Sequence, residues 1–317
     1  MSKTDQTRSD RPAVHVIGAG FMGAGISQVA AQAGHRVTLV DSSRASLDAA
    51  QARIRGSLEK LAAKGRLDEA PENIEARLAV TTELRAEPGA EWVIECVYED
   101  VTVKEPLFRE LDRLYAPEIV LASNTSGIPI SLLASFTSRP ERVVGLHFFG
   151  PVPIMPPVEV IRGAKTAEAT YDRAVDFVRN LGKTPICVRA DIPGFIVNRI
   201  LCQAMQEAIR LVEWGIASPE EVDTALRLAL NWQAGPFEIA DNAGIDTMWR
   251  VLVEQHRLNP NPALAPQPLL RALLDSGCRG RKTGAGFYRY DENGKRAGHS
   301  VPVEACLAKE PFADFRL

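Results

Sequence analysis

The sequence of 317 residues lacks the cysteine patterns of metal-binding, redox and disulfide-stapled proteins. No two cysteines form a C-x-x-C pair, and no spacing of cysteine and histidine suits a metal ion. Free thiols in a reducing compartment are the simplest account of such scattered cysteines. We therefore expect neither a metal site nor a disulfide framework. The five cysteines are Cys96, Cys187, Cys202, Cys278 and Cys306.

Excess charge and long apolar runs are also missing. The formal net charge is −3, which gives no electrostatic argument for a nucleic-acid or anionic-membrane partner. No apolar run reaches the roughly 20 residues that cross a bilayer. The polar start, MSKTDQTRSDR, lacks the apolar core of a signal peptide. We expect a disordered tail over residues 1–12 and a cytoplasmic protein.

The most informative segment that is present covers residues 14–41, VHVIGAGFMGAGISQVAAQAGHRVTLVD. An apolar run, Val14–Ile17, precedes the motif GAGFMG, and an alanine-rich stretch separates it from a second apolar run that ends at Asp41. G-x-G-x-x-G after a strand and at the start of a helix, with an acid about 20 residues further on, is typical of a dinucleotide-binding βαβ unit. The alternative is a glycine-rich turn in some other α/β domain.

Each part of this motif has a physical task. Gly18 permits the tight turn, Gly20 lets the backbone approach a pyrophosphate, and Gly23 lets the helix pack closely on the strand. The helix N-terminus offers free N–H groups and a positive dipole to phosphates. Asp41 can accept hydrogen bonds from both ribose hydroxyls, and its charge repels a 2′-phosphate. We therefore predict NAD rather than NADP as the cofactor.

Strand and helix signals alternate to about residue 189, which predicts a mostly parallel sheet covered on both faces. From Ile192 the apolar period is helical, and strand signal is nearly absent until Gly286–Tyr290. We predict an α/β Rossmann-type domain over 13–190 and an all-α C-terminal domain over 191–317, with a cleft between them for the substrate. Predicted strands are Val14–Ile17, Val37–Val40, Leu78–Val80, Trp92–Glu95, Ile119–Ala122, Val143–Leu146, Val158–Ile161 and Thr184–Val188.

A dehydrogenase also needs a group that exchanges the alcohol proton, and histidine is the usual choice. Of five histidines, His147 follows the apolar run Val143–Leu146 at the carboxyl end of a predicted strand, where ligands bind in open α/β sheets. A packed or turn-edge histidine is the alternative. Glu159 is a candidate carboxylate partner for the imidazole, although a strand glutamate that faces solvent would give the same pattern.

Two polar residues are candidates for contacting a substrate oxygen. Ser126 lies in the polar turn Ser123–Gly127, and Asn198 lies in the first turns of the first helix of the second domain. The alternatives are a turn-forming serine and a polar residue on a helix face.

Taken together, these motifs resemble the L-3-hydroxyacyl-CoA dehydrogenase family. The shared landmarks appear in the family's order over about residues 13 to 290. They are GAGFMGAGISQVAAQAGHRVTLVD, NTSG at 124–127, HFFGPVPIMPPVEVI at 147–161, PGFIVNR at 193–199, GPFE at 235–238 and GRKTGAGFY at 280–288.

The resemblance implies a role for each matching residue. His147 is the acid/base, Glu159 is its carboxylate partner, and Ser126 and Asn198 contact the substrate's 3-oxygen and the base. Ser57 and Lys64 match positions that contact CoA, although a solvated helix face explains their charges equally well. The family's homodimer is also implied. The cofactor positions are Gly18, Gly20, Phe21, Met22, Gly23, Asp41, Glu99, Lys104, Asn124 and Lys282.

The chain departs from the family around the expected substrate pocket. The family usually has Asn at the position of Gly150 and Lys-Leu at the positions of Pro156-Pro157. It also has the motif NTSS where this chain has NTSG, so that a serine stands at the position of Gly127. These changes leave open a related activity on a non-CoA hydroxy acid or alcohol, such as carnitine, gulonate or a hydroxylated pyridine carboxylate. A non-catalytic NAD-binding protein is a third hypothesis, which the presence of His147, Glu159, Ser126 and Asn198 disfavours.

Overall fold

Alternating strands and helices build the first part of the chain in a computed structural model that describes residues 11–86, 89–258, 260 and 265–309. The chain divides between Phe195 and Ile196 into two units. Residues 1–10 of the predicted tail lie outside the described residues. No described helix is long and apolar enough to span a bilayer.

One eight-stranded sheet forms the first unit, in the order β3-β2-β1-β4-β5-β6-β7-β8. All neighbouring strands are parallel except β6 and β7, which are antiparallel. The order reverses at β1, which is the topological switch point of a doubly wound sheet. The strands are β1 (Ala13–Ile17), β2 (Val37–Val40), β3 (Leu78–Thr81), β4 (Ala90–Glu95), β5 (Val120–Ser123), β6 (Val143–Phe148), β7 (Pro157–Ile161) and β8 (Thr184–Val188).

Helices cover both faces of this sheet because its strands carry apolar residues on both sides. Val16 of β1 belongs to one buried cluster and its neighbour Ile17 to the other, as the period of two requires. Each fully buried Val, Leu or Ile contributes about 1.5–3 kcal/mol. The helices are α1 (Phe21–Gln32), α2 (Arg44–Ala63), α3 (Pro71–Glu75), α4 (Val101–Leu114), α5 (Ile130–Ser135) and α6 (Glu168–Asn180).

The second unit is helical, as predicted, and it also carries a two-stranded antiparallel sheet. Its core is held by two buried carboxylates: Asp223 accepts hydrogen bonds from the Phe237 and Glu238 amides, and Asp241 accepts them from the Phe287 and Tyr288 amides. Its elements are α7 (Val197–Glu213), α8 (Pro219–Leu230), α9 (Pro236–Ala243), α10 (Ile245–Leu258), α11 (Pro268–Asp275), β9 (Tyr288–Tyr290), β10 (Arg296–His299) and α12 (Val301–Leu307).

Every strand predicted in the first unit is present, and the short elements α3, α5, β10 and α12 were not predicted. They span four to seven residues, too few to show a periodic pattern. Helix α7 begins at Val197, five residues after the start of the helical period predicted from Ile192.

Candidate active site

The glycine motif joins β1 to α1 at the carboxyl edge of the sheet. Gly18 has a φ of +106°, and a Cβ there would lie 2.7 Å from the Cys96 carbonyl oxygen. A Cβ on Gly23 would lie 1.8 Å from the Gly18 carbonyl oxygen, so both positions require glycine. A Cβ on Gly20 would meet nothing within 4 Å, which leaves the turn open on that side. The turn therefore has the shape that a dinucleotide pyrophosphate needs.

Helix α1 provides the charge that matches this shape. Among the described residues, no side chain caps its N-terminus at Gly20, and its first turn contains no acidic residue. Its first N–H groups and its dipole therefore face the open turn, as in phosphate sites at helix N-termini. The residues present fit a dinucleotide.

Asp41 follows β2 at the same edge. Its two carboxylate oxygens accept hydrogen bonds from the Ala19 amide and the Ser43 amide, both at 2.8 Å. Each oxygen retains a lone pair. The carboxylate is thus fixed against the glycine turn while it can still accept hydrogen bonds from ribose hydroxyls.

His147 and Glu159 lie directly opposite each other on the antiparallel strands β6 and β7. The Nδ1 of His147 lies 2.7 Å from Oε2 of Glu159. His147 is 6% exposed and Glu159 is fully buried, so the alternative of a solvent-facing glutamate is wrong. Because a carboxylate accepts at Nδ1, the proton resides there in neutral imidazole and Nε2 carries the lone pair.

Aromatic rings surround the imidazole. The His147 ring centroid lies 4.6 Å from that of Phe149 and 5.7 Å from that of Phe195. These rings limit the movement of the imidazole and exclude water from most of its surface. The pair is therefore preorganised, with its polar contact in a low-dielectric environment that strengthens it.

The turn at 124–127 is held between two parts of the unit. The Asn124 side-chain oxygen accepts the Phe148 amide at 2.9 Å, next to His147. On the other side, Oε1 of Glu99 accepts hydrogen bonds from the Ser126 amide at 2.8 Å and the Gly127 amide at 3.0 Å. The Ser126 hydroxyl lies 3.4 Å from that same oxygen. Asn124 and Glu99 therefore set the position from which Ser126 is presented.

Lys104 is buried between two carboxylates. Its Nζ lies 2.9 Å from Oε2 of Glu99 and 2.9 Å from Oε2 of Glu95, the last residue of β4. Burial lowers the pKa of Lys104, but the two carboxylates outweigh burial and the net direction is upward. The ammonium is therefore retained at neutral pH.

A cavity of about 440 Å³ lies between α1, α2 and the chain after β6. Ser57 and Lys64, the two predicted CoA contacts, line it. The described lining residues include no carboxylate, and the apolar part of the lining includes Phe21, Pro151 and Ile154. The remaining cations in its lining are Arg53, Lys60 and Arg66.

Gly150 leaves space that a neighbouring aromatic ring occupies. A Cβ at this position would lie 2.6 Å from Cε1 of Phe21, whose side chain lines the same cavity. The asparagine usual at this position would therefore require the Phe21 ring to move. Pro157 begins β7, and the Gly127 amide donates a hydrogen bond to Glu99, so the other two departures also border parts of this site.

Two predicted site residues belong to the second unit. Asn198 lies in the first turn of α7. Lys282 lies in a 3₁₀ turn over Arg281–Thr283, and its Nζ lies 2.5 Å from Oδ1 of Asp246. Their roles at the site remain predictions.

Sequence reasoning missed two groups of residues. Glu95 reads as the end of an apolar run, and only its charge at the carboxyl end of a strand distinguishes it. Arg53 and Lys60 share a helix face with Ser57 and Lys64, because their spacings of four, three and four residues follow the helical period. That spacing could have predicted the cationic lining of the cavity.

Comparison with known families and structures gives a consistent result. The family description "3-hydroxyacyl-CoA dehydrogenase, NAD binding domain" matches residues 13–192, and the C-terminal domain of that family matches residues 194–290. A probable 3-hydroxybutyryl-CoA dehydrogenase of Deinococcus radiodurans is 42% identical over 275 residues, which cover 87% of this chain and 99% of the relative. The mitochondrial hydroxyacyl-coenzyme A dehydrogenase of Homo sapiens is 42% identical over 285 residues, covering 87% and 90%.

A similar solved structure is that of (S)-3-hydroxybutyryl-CoA dehydrogenase from Ralstonia eutropha. It matches with a TM-score of 0.85 and 39% identity, and the match covers 89% of this chain and 99% of the other. The match therefore extends through both units.

Proposed function

The chain belongs to the 3-hydroxyacyl-CoA dehydrogenase family, and we propose that it interconverts an L-3-hydroxyacyl-CoA and the 3-ketoacyl-CoA with NAD as cofactor. The observation that carries this proposal is the buried His147–Glu159 pair at the sheet edge that also bears the glycine turn. A dinucleotide turn alone leaves the reaction open. A histidine with a buried carboxylate adds the proton transfer that alcohol oxidation requires.

His147 acts as the base in the oxidation direction. Its Nδ1–H donates to Glu159, so the lone pair on Nε2 accepts the proton of the substrate hydroxyl. The imidazolium that results is stabilised by the Glu159 carboxylate. In the reverse direction, the same imidazolium returns the proton to the developing alkoxide. Glu159 thus orients the ring without touching substrate.

The cofactor is NAD, which supplies the hydride acceptor when it is bound. Gly18, Gly20 and the N-terminus of α1 would hold its pyrophosphate, and Asp41 would accept hydrogen bonds from the adenosine ribose. A 2′-phosphate would meet the Asp41 charge, which explains the choice of NAD over NADP.

Ser126 and Asn198 are proposed to bind the substrate's 3-oxygen. The Glu99 contacts fix the backbone of Ser126, so its hydroxyl can be presented without a large loss of side-chain entropy. Lys282 is proposed to contribute to cofactor binding.

The cationic cavity supports a CoA substrate over a small hydroxy acid. CoA carries several phosphate charges on a long, partly apolar chain. Lys60, Lys64 and Arg66 offer positive charge, while Phe21 and Ile154 offer apolar surface. A small hydroxy acid has neither several phosphate charges nor a long apolar chain, so it would use neither the positive charge nor the apolar surface of this cavity. We therefore assign the cavity to the CoA moiety.

We also propose a homodimer in the cytoplasm. Three apolar side chains of the second unit are strongly exposed, with Ile200 at 64%, Leu228 at 81% and Leu230 at 60%. We propose that these side chains, on α7 and α8, belong to the dimer interface, since exposed apolar patches are typical of protein interfaces. The cysteines are free thiols, which suits a reducing compartment. A monomer at micromolar concentration in size-exclusion chromatography with light scattering would contradict the dimer.

A substrate panel tests the proposed activity. NADH formation is followed with L-3-hydroxybutyryl-CoA, free 3-hydroxybutyrate, carnitine and gulonate under the same conditions. We expect turnover of the CoA thioester and a kcat/KM at least about 100-fold lower for the free acid, because only the thioester engages the cationic cavity. Turnover of carnitine or gulonate without turnover of the thioester would overturn the proposal. Absence of turnover with any substrate would favour a non-catalytic protein.

A further inference from the structure

The strand end at Glu95 adds a third charge, fully buried, to Glu99 and Lys104, the two residues that the family resemblance assigns to the cofactor site. Glu95 is fully buried, Lys104 is 1% exposed, and Glu99 completes the group with a side chain that is 38% exposed. Removing three ionised groups from water is unfavourable unless their contacts compensate. Such an arrangement is therefore stable only where hydrogen bonds and ion pairs satisfy each charged group.

Hydrogen bonds satisfy both carboxylates. Oε2 of Glu95 accepts from the Ser123 hydroxyl at 2.6 Å as well as from Lys104, and Oε1 accepts from the Val97 amide at 2.7 Å. Glu99 uses Oε2 for Lys104 and leaves Oε1 for the turn at 125–127. Lys104 is thus the only described group that contacts both carboxylates.

The two carboxylates differ in how firmly they hold their charge. Burial raises the pKa of Glu95, and the nearby Lys104 does not fully offset it. Burial also acts on Glu99, but Lys104 and the hydrogen bonds from Thr125 and Ser126 bring its pKa below the ordinary value. Glu99 therefore stays ionised and accepts from the turn, while Glu95 holds the lysine.

The turn connects this charge group to the acid/base. Glu99 binds the Ser126 and Gly127 amides, and Asn124 at the start of the turn binds the Phe148 amide next to His147. A displacement of Lys104 would first move Glu99 and then the turn. The contacts form one continuous path from Glu95 to the residue that follows His147.

We propose that Glu95 is a positioning residue of the hydride-transfer site, which holds the Lys104 ammonium against Glu99 and thereby fixes the turn that presents Ser126. Glu95 contacts neither substrate nor cofactor in this role. Its effect passes through Lys104 and Glu99 and, in parallel, through Ser123, whose hydroxyl donates to Glu95 and accepts the Thr125 amide. The inference rests on the proposed dehydrogenase function for its kinetic consequence, but not for its structural one.

A double-mutant cycle tests the path. Glu95→Gln, Glu99→Gln and the double variant are compared by kcat, KM and the Kd for NADH. Glu95→Gln keeps the size of the side chain but removes its charge, and we expect kcat to fall about 10- to 100-fold because a small misplacement of reacting groups has effects of this size. The double variant should lose less than the product of the two single losses, because both changes act through the shared Lys104 contact. Losses that multiply would overturn the path.

Glu105→Gln is the matched control. Glu105 follows Lys104 on α4, has a side chain that is 41% exposed, and pairs with Arg109. Its variant should retain the kcat of the parent within about two-fold. An equal loss in Glu105→Gln and Glu95→Gln would show that any charge change on this segment lowers kcat, and it would overturn the proposal.

Hydrogen exchange of the free protein gives a readout that needs no substrate. In Glu95→Gln, the Ser126 and Gly127 amides should exchange at least about 10-fold faster, because their acceptor is less well held. The Phe237 and Glu238 amides, which donate to the buried Asp223 of the second unit, are the internal control and should be unchanged. Unchanged exchange at Ser126 and Gly127, or equal acceleration at all four amides, would overturn the proposal even if the substrate assignment holds.

Glu95→Asp keeps the proposal testable if the glutamine variant does not fold. It retains the buried charge and shortens the reach to Lys104 by one methylene group. We expect the same pattern with a smaller loss of kcat and faster exchange at Ser126 and Gly127. Parental kcat and parental exchange in this variant would overturn the proposal.

Discussion

The two edges of the eight-stranded sheet each bury a histidine, but only one of the two has a carboxylate partner. At the carboxyl edge, Nδ1 of His147 lies 2.7 Å from Glu159. At the amino edge, Nδ1 of His35 lies 2.8 Å from the Pro12 carbonyl oxygen, and its Nε2 has no partner among the described residues. His35 is 3% exposed and His147 is 6% exposed. Burial is therefore common to both, and the partner is not.

The comparison shows that burial of a histidine does not by itself make an acid/base. Burial lowers the pKa of His35, and its carbonyl partner only partly opposes this, so the ring stays neutral. The ring packs on Phe177, which stacks on Trp92 with centroids 4.3 Å apart. His35 thus has the environment of a core residue. A full carboxylate charge at His147 instead stabilises the imidazolium that proton transfer requires.

Replacing each histidine should separate the two edges most strongly. We expect His147→Ala to lower kcat about 1,000-fold or more with L-3-hydroxybutyryl-CoA, because no group remains to take the proton. The Kd for NADH should stay within about two-fold of the parent, since the glycine turn and Asp41 are untouched. Fluorescence titration of NADH and initial rates measure both quantities. Near-parental turnover would disprove the assignment of His147.

Charge reversal in the lining of the cavity tests whether the cavity binds the substrate. We expect the double variant Lys60→Glu, Lys64→Glu to raise KM for the CoA thioester about 10- to 100-fold, with a smaller effect at high salt because exposed charges are screened. The double variant Arg109→Glu, Arg179→Glu is the control, because it makes the same change in net charge at two exposed residues outside the cavity lining. Equal effects of the two changes on KM would show that net charge, not the cavity, attracts the substrate.

His35→Gln should have the smallest effect. Turnover should stay within about two-fold of the parent, because His35 packs on Phe177 in the core and is none of the residues proposed for catalysis or cofactor binding. The native pKa of His35 lies below its unfolded value of about 6.5. The unfolded state therefore binds more protons. His35 lowers the free energy of unfolding as pH falls from the unfolded pKa toward the lower native pKa.

Thermal unfolding between about pH 8 and pH 5 measures this effect against the parent. On acidification, the Tm of the variant should fall less than the Tm of the parent protein. A parallel pH dependence in the two proteins would contradict the role given to His35. A large loss of turnover would instead break the contrast between the edges.

At the carboxyl edge, the features best predicted from the sequence are those whose residues lie close together along the chain. The glycine turn and Asp41 belong to one βαβ unit, so their spacing alone indicates their geometry. The exposed or buried state of Glu159 was left open, because the direction of β7 is not encoded in its apolar pattern. Only the antiparallel pairing of β6 and β7 places Glu159 opposite His147.

Long-range electrostatics explains the remaining omission. Glu95, Glu99 and Lys104 lie within ten residues of one another. The proposed role of Glu95, however, depends on Ser123 of the next strand and on the turn that follows it. A strand-terminal glutamate is a common surface residue in sequence terms. Its complete burial follows from the packing of α4 and β5, which a single sequence does not specify.

The kcat of Glu159→Gln with L-3-hydroxybutyryl-CoA, measured together with the Kd for NADH, tests the central claim most directly. The glutamine amide can turn its NH₂ toward Nδ1, which favours the tautomer that carries its proton on Nε2 and cannot act as base. We predict a kcat at least about 100-fold below the parent and an NADH Kd within about two-fold. A parental kcat would show that the buried carboxylate is structural and that the His147–Glu159 pair does not perform the proton transfer.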